Sequence, residues 1–205
     1  MNYLQIDEVK IELTNEQVAE FKKKLKDKVE LSAIAPGGVF EVAGFEFIVL
    51  EQLEDGAAVI LKGLWHDGEV FSGTNNNFDG SNADELCREF EEELKKAIGQ
   101  DIFVKHSVDL TSDDGLKDYG VIERNVSLLT AEQYRKYVEI LDKYKLDVWW
   151  WLSTPHSTKT HDNDCWVKCV SPFGGISIIN YCRSSSGVRL FCIFKSNIFV
   201  SKKGE

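Results

Sequence analysis

The chain is expected to fold as an α+β protein, an antiparallel, hairpin-rich core with about three helices and an N-terminal strand–helix extension. Three observations lead there. Short apolar or alternating runs recur between turn signals such as Ala43-Gly44, Asp55-Gly56 and Gly174-Gly175. Helical spacing of apolar residues is confined to a few stretches, which open or close on capping residues. Strands and helices do not alternate regularly, which argues against a parallel α/β sheet. The 205 residues, 43% hydrophobic and 28% charged, suit one sizeable domain with a small appendage.

In chain order, residues 4–13 partly alternate and read as a strand. Thr14 is an N-cap with Gln17 in the capping-box position, and Val18, Phe21, Leu25 and Val29 form one helical stripe. The opposite face carries Lys22, Lys23, Lys24, Lys26 and Lys28, read as a solvated face. Ala35-Pro36-Gly37-Gly38 breaks this helix, so residues 1–35 form an extension and 36–205 the main domain. Strands follow at Val39–Val42, Phe45–Leu53 and 57–61, then a short hairpin around Asp67-Gly68 between Trp65 and Phe71. Residues 74–82 are polar and turn-rich, a loop. A helix over 82–98 has the stripe Leu86, Phe90, Leu94 and Ile98, and Gly99 suits its left-handed C′ position. A strand at 102–110, an acidic loop at 111–120 and a strand at 125–129 come next. Thr130 and Gln133 form a second capping box for a helix whose buried face is Tyr134, Tyr137, Val138, Leu141 and Tyr144. The last strands lie at 163–170, 175–181 and 187–194.

The net charge is −10, which disfavours direct binding of nucleic acid. It is unevenly placed: residues 1–147 carry −14, residues 148–205 carry +4. An acidic body of this kind complements a basic partner surface. Apolar runs reach only five or so residues, against about 18 to 20 for a bilayer span. The N-terminus lacks a signal-peptide pattern, so a cytoplasmic protein is expected. The five cysteines are then free thiols. Cys165 and Cys169, beside His161, Asp162 and Asp164, have no metal-site spacing, and neither metal nor cofactor is expected.

Trp149-Trp150-Trp151-Leu152-Ser153-Thr154-Pro155 followed by Gly187-Val188-Arg189-Leu190 resembles a domain family of unknown function. That family is common in gut bacteria, their phages and other mobile elements, and carries W-W-L-R-S-P-G and then G-V-R-P-A. Gly37-Gly38-Val39-Phe40, Phe47-Ile48-Val49-Leu50 and Leu128-Leu129-Thr130-Ala131-Glu132 match its upstream motifs. The resemblance spans residues 37–195 and implies a fold similar to the C-type-lectin-like fold. Ser153, His156 and Leu190 replace the motif Arg, Gly and Pro, so a ligand site using that Arg is not carried over.

No hydrolase, nucleotide-binding or metalloprotease motif occurs, and a non-enzymatic binding module is expected. The polar loop at 155–164 is the candidate site, with His156, Lys159, His161, Asp162, Asn163 and Asp164, and Trp151 as an aromatic contact. Its partner would be a protein or a glycan. Two of the three consecutive tryptophans are expected in the core, because strand neighbours point to opposite faces. Arg189 is expected to bond backbone carbonyls or an acidic partner near the terminal strands, and Arg183 to be exposed. The alternative is an acidic, phage-encoded inhibitor of the anti-defence type. It would occlude the basic nucleic-acid groove of a host protein with Glu85, Glu89, Glu92 and Glu93.

Overall fold

The structure, a computed structural model, describes the backbone of residues 2–6, 9–25 and 28–203 and the side chains of 12–20, 28–177 and 182–203. The side chains of Phe21, Lys22, Lys23, Lys24, Leu25 and Lys26 lie outside the described residues. The chain is mixed α+β. It opens with β1 (Asn2–Ile6), β2 (Val9–Leu13), α1 (Asn15–Leu25) and β3 (Lys28–Glu30). Then come β4 (Val39–Val42), β5 (Phe45–Gln52), β6 (Ala57–Leu61), β7 (His66–Val70) and α2 (Asn82–Ile98). The middle holds β8 (Phe103–Val104), β9 (His106–Asp109), β10 (Val121–Arg124), β11 (Val126–Ser127) and α3 (Ala131–Leu141). The last strands are β12 (Trp150–Pro155), β13 (Trp166–Val170), β14 (Ile176–Tyr181), β15 (Ser185–Val188), β16 (Phe191–Phe194) and β17 (Phe199–Lys202).

Two sheets carry the domain. The larger runs β11-β16-β6-β5-β4-β17-β3, with β8 added on β16. The smaller runs β14-β13-β12-β15-β7. Among the described residues every pairing is antiparallel except that of β12 with β15, where Trp150 lies opposite Gly187. A side chain at Gly187 would meet Leu64 Cδ1 at 2.5 Å, so a larger residue here would have to displace the Leu64 side chain.

Strand alternation sorts the apolar residues onto two faces, both buried. Phe47, Val49 and Val59 pack with Phe90, Leu94 and Trp151 in one core layer. Ile48, Leu50 and Ile60 pack with Tyr134, Tyr137, Leu141 and Trp150 in the other. Burial on both faces is why β5 and β6 read as continuous apolar runs. Trp150 and Trp151 are in the core as expected, and Trp149 is 36% exposed.

The local helix signals act where the sequence places them. Thr14 with Gln17 and Thr130 with Gln133 form reciprocal capping bonds. Ser81 caps α2, and Gly99 closes it at φ 74°. The fully buried Asp84 ties α2 to β10. It takes paired bonds of 2.8 and 2.9 Å from Arg124, one from the Gly80 N–H and one from Arg88. Burial pushes its carboxyl pKa up, but these bonds outweigh that and hold it below the ordinary value. Arg189 is buried against the Trp150 ring and donates to the Leu61 and Lys62 carbonyls, the first of its two expected roles. Arg183 is exposed.

Several boundaries differ from the sequence reading. Residues 4–13 are not one strand: β1 and β2 pair with each other across Asp7 and Glu8, which lie outside the described residues. The first helix does not reach Val29. That residue lies in β3, opposite Val200 at the edge of the main sheet, and Leu31 and Ile34 join the core. Residues 28–34, grouped with the extension on sequence, therefore pack with the domain. Residues 66–70 form one strand on β15 instead of a hairpin, because its partner lies 115 or more residues away in the chain. The run 187–194 divides between the two sheets, turning at Arg189. Among the described residues no helix is long and apolar enough to cross a membrane.

Two outcomes are expected. Ala43 and Gly44 turn β4 into β5 with φ of 52° and 87°, a geometry that favours Asn-Gly. Ala43→Asn should raise stability by about 0.5–1 kcal/mol in urea unfolding. His106 is buried against Ser127 Oγ at 2.9 Å, and burial pushes its pKa down to about 4. The unfolded chain takes up this proton first, so stability falls as pH drops from about 6.5 toward 4. His106→Gln should flatten that part of the pH–stability curve.

Candidate functional site

Four separate segments meet at one end of the domain, and Asn76 joins them. Its side chain is fully buried. Nδ2 donates to the carbonyls of Ser157 and Trp166, both at 2.9 Å, and Oδ1 accepts from the Tyr119 hydroxyl at 2.8 Å. Its backbone N–H donates to the Asp164 carbonyl at 2.7 Å. The amide so binds the 72–81, 111–120 and 156–165 loops to the start of β13. A polar group at this depth is tolerated only because its partners are in place.

The acidic loop 111–120 supplies the second set of ties. Asp114 accepts from Ser112 Oγ, Ser157 Oγ and His161 Nδ1 at 2.5, 2.6 and 2.9 Å. The serine hydroxyls first, and then His161, hold its carboxyl far below the ordinary range. Asp118 accepts from Thr158 and Thr160 at 2.6 Å each, which lowers its pKa as well. Asp113 meets Lys168 Nζ at 2.6 Å and Arg135 at 3.3 Å. Burial pushes the Asp113 carboxyl up, but the two cations outweigh it. Lys168 is 5% exposed, so this pair lies where a lone ammonium would be costly. A cleft of about 240 Å³ lies between this loop and the start of α3, lined in part by Lys117, Thr130 and Arg135.

The structure gathers most of the residues expected to form the site. Lys159, His161 and Asp162 are exposed on a short 3-10 turn, and Asp162 closes it in the left-handed region at φ 51°. Asn163 and Asp164 are half-buried, with the backbone of each engaged: Asn163 N–H donates to Thr158 O, and Asp164 O accepts from Asn76. His156 is half-buried and hydrogen-bonds through its backbone to Trp166 O. Trp151 needs correction as a contact residue. It is 0% exposed, packs against the Phe71 ring and donates Nε1–H to the Glu69 carbonyl. It supports the loop end from below and has no surface to offer. On α2, Glu85, Glu89, Glu92 and Glu93 are all exposed.

Asn76, Asp114, Asp118, Tyr119 and Lys168 escape sequence reasoning. The only local signal is the density of Asp, Ser and Asn in two loops, which marks turns and not their partners. All five cysteines are free, and among the described residues no three His, Cys, Asp or Glu side chains are placed to hold a metal. No family profile, curated protein or solved structure matches the chain.

Replacing Asn76 tests the junction. Asn76→Ala strands two buried carbonyls and a tyrosine hydroxyl and should cost about 2–4 kcal/mol. Amide exchange should rise selectively in 156–165 and 111–120, with the strands of the main sheet protected until global unfolding.

Proposed function

We propose that the chain is a non-enzymatic binding module that recognises a protein or glycan through the 156–164 loop, braced by the 111–120 loop. One observation carries this reading: the exposed Lys159, His161 and Asp162 stand on a turn tied to Asn76, Asp114 and Asp118. A loop held in this way has little freedom left to lose on binding, which favours affinity. The proposal extends to a C-type-lectin-like core. Its support is that the tryptophan strand and the Gly-Val-Arg strand, which carry the sequence resemblance, lie side by side at Trp150 and Gly187. The five free thiols fit a cytoplasmic setting.

A second reading, an acidic inhibitor that occludes a basic groove, is favoured by α2. Glu85, Glu89 and Glu93 stand one helical turn apart on one exposed face. Like charges at this spacing destabilise a helix by about 0.2–0.5 kcal/mol per pair. Glu89 and Glu93 lie beyond the first turn, where the helix dipole no longer offsets that repulsion.

Capture from nuclease-treated lysate at low and high salt, with two variants, separates the readings. If the loop binds, the retained species survives salt and is lost with Lys159→Ala/His161→Ala/Asp162→Ala. If α2 binds, it is lost with salt and with Glu89→Lys, which should also stabilise the helix by about 0.5 kcal/mol. Retention unchanged by both variants overturns both readings.

A further inference from the structure

We infer that the open groove between the 34–39 turn, the end of α3 and the last strand binds a small molecule carrying two or more phosphates. The groove has a volume of about 830 Å³ and shares no residue with the 156–164 loop. Four lysines from separate parts of the chain converge on it: Lys62 after β6, Lys143 after α3, and Lys202 and Lys203 at the end of β17. This gathers positive charge on a protein whose net charge is −10.

The walls are fixed by main-chain bonds. Tyr144 donates its hydroxyl to the Gly37 carbonyl at 2.7 Å, and Gly37 N–H donates to Val49 O at 2.7 Å. Lys203 N–H donates to Val39 O at 3.0 Å, fastening the last strand to the same turn. Gly37 sits at φ +86°, and a side chain on Gly38 would meet Ile34 Cγ2 at 2.6 Å, so the turn keeps its shape only with glycine at both positions.

Local charge balance leaves the groove positive. Lys62 pairs with Glu46 at 2.9 Å and Lys203 with Glu41 at 2.7 Å. Both are surface pairs, which are weak and exchange readily for a more highly charged anion. Lys143 and Lys202 have no acidic partner among the described residues. Four ammonium groups against two carboxylates leave a surplus of two positive charges. Lysines are compact, rotatable donors suited to phosphate, whereas a planar carboxylate is better matched by arginine.

Size decides which phosphates. Small-molecule sites span about 300–1,000 Å³, which includes this groove. A nucleic acid strand would run out over the acidic surface of residues 1–147, where it is repelled. A ligand confined to the groove escapes that field, because screening at physiological salt acts within about 8 Å.

Titration calorimetry with inorganic tripolyphosphate on the full chain tests the inference. Saturable one-to-one binding is expected, weakening as salt rises. Lys143→Glu/Lys202→Glu should lower affinity at least about tenfold. Both side chains are exposed, so thermal unfolding should confirm an intact fold. Lys105→Glu, an exposed charge outside the groove, should leave binding within about twofold. Absence of saturable binding overturns the inference, as does equal loss in the Lys105 variant. Preferential binding of a poly-glutamate peptide overturns it too, since that would make the groove a peptide site.

Discussion

The loop end of this protein depends on one buried amide. Asn76 has two donors and an acceptor to satisfy away from water, and its partners come from chain segments 43 to 90 residues distant. Satisfying them fixes where three loops sit relative to β13. The price of an unmade bond at this depth exceeds the small net gain of a made one. The arrangement is therefore all or nothing: if one loop departs, the amide loses its partners and the other loops lose their anchor.

Beneath that junction the two sheets provide a rigid base, because each face of the central strands is covered. Trp150 and Trp151 show how tightly scaffold and loop end are coupled. Adjacent in sequence, they enter opposite core layers. Trp150 packs against Tyr134 of α3 and lies under Arg189. Trp151 packs against Phe71, at the entry to the loop that bears Asn76. The strand that looks most like a binding feature in the sequence is structural. The exposed Lys159, His161 and Asp162 lie on the turn beyond it.

Charge divides the surface into distinct regions. The acidic residues of loop 111–120 are consumed internally: Asp113, Asp114 and Asp118 each neutralise or orient a neighbour. Those of α2 face solvent in a row. The lysines of the 34–39 groove form a basic concavity. Net charge alone describes none of this. Over distances beyond about 8 Å each region acts independently, and a partner responds to the patch it meets.

Much of the fold was legible in the sequence because its signals are local. Capping boxes at Thr14 and Thr130, the glycine ending α2, the Ala43-Gly44 turn and the apolar runs of β5 and β6 act on residues a few positions apart. The loop at 155–164 was legible as a loop for the same reason. Strand partners were not: β7 on β15, β3 on β17 and the division of 187–194 between two sheets depend on contacts more than a hundred residues apart. Nor was the ligand-facing chemistry. Four lysines separated by up to 141 positions make one groove only after β17 returns beside β4. Sequence alone determined the α+β class, most of the elements and the charge asymmetry, because propensity, capping and composition act at short range. The tertiary structure alone decided which polar residues brace the loops, which of the three consecutive tryptophans is exposed and where the lysines meet, because those outcomes depend on which distant segments chain folding brings into contact.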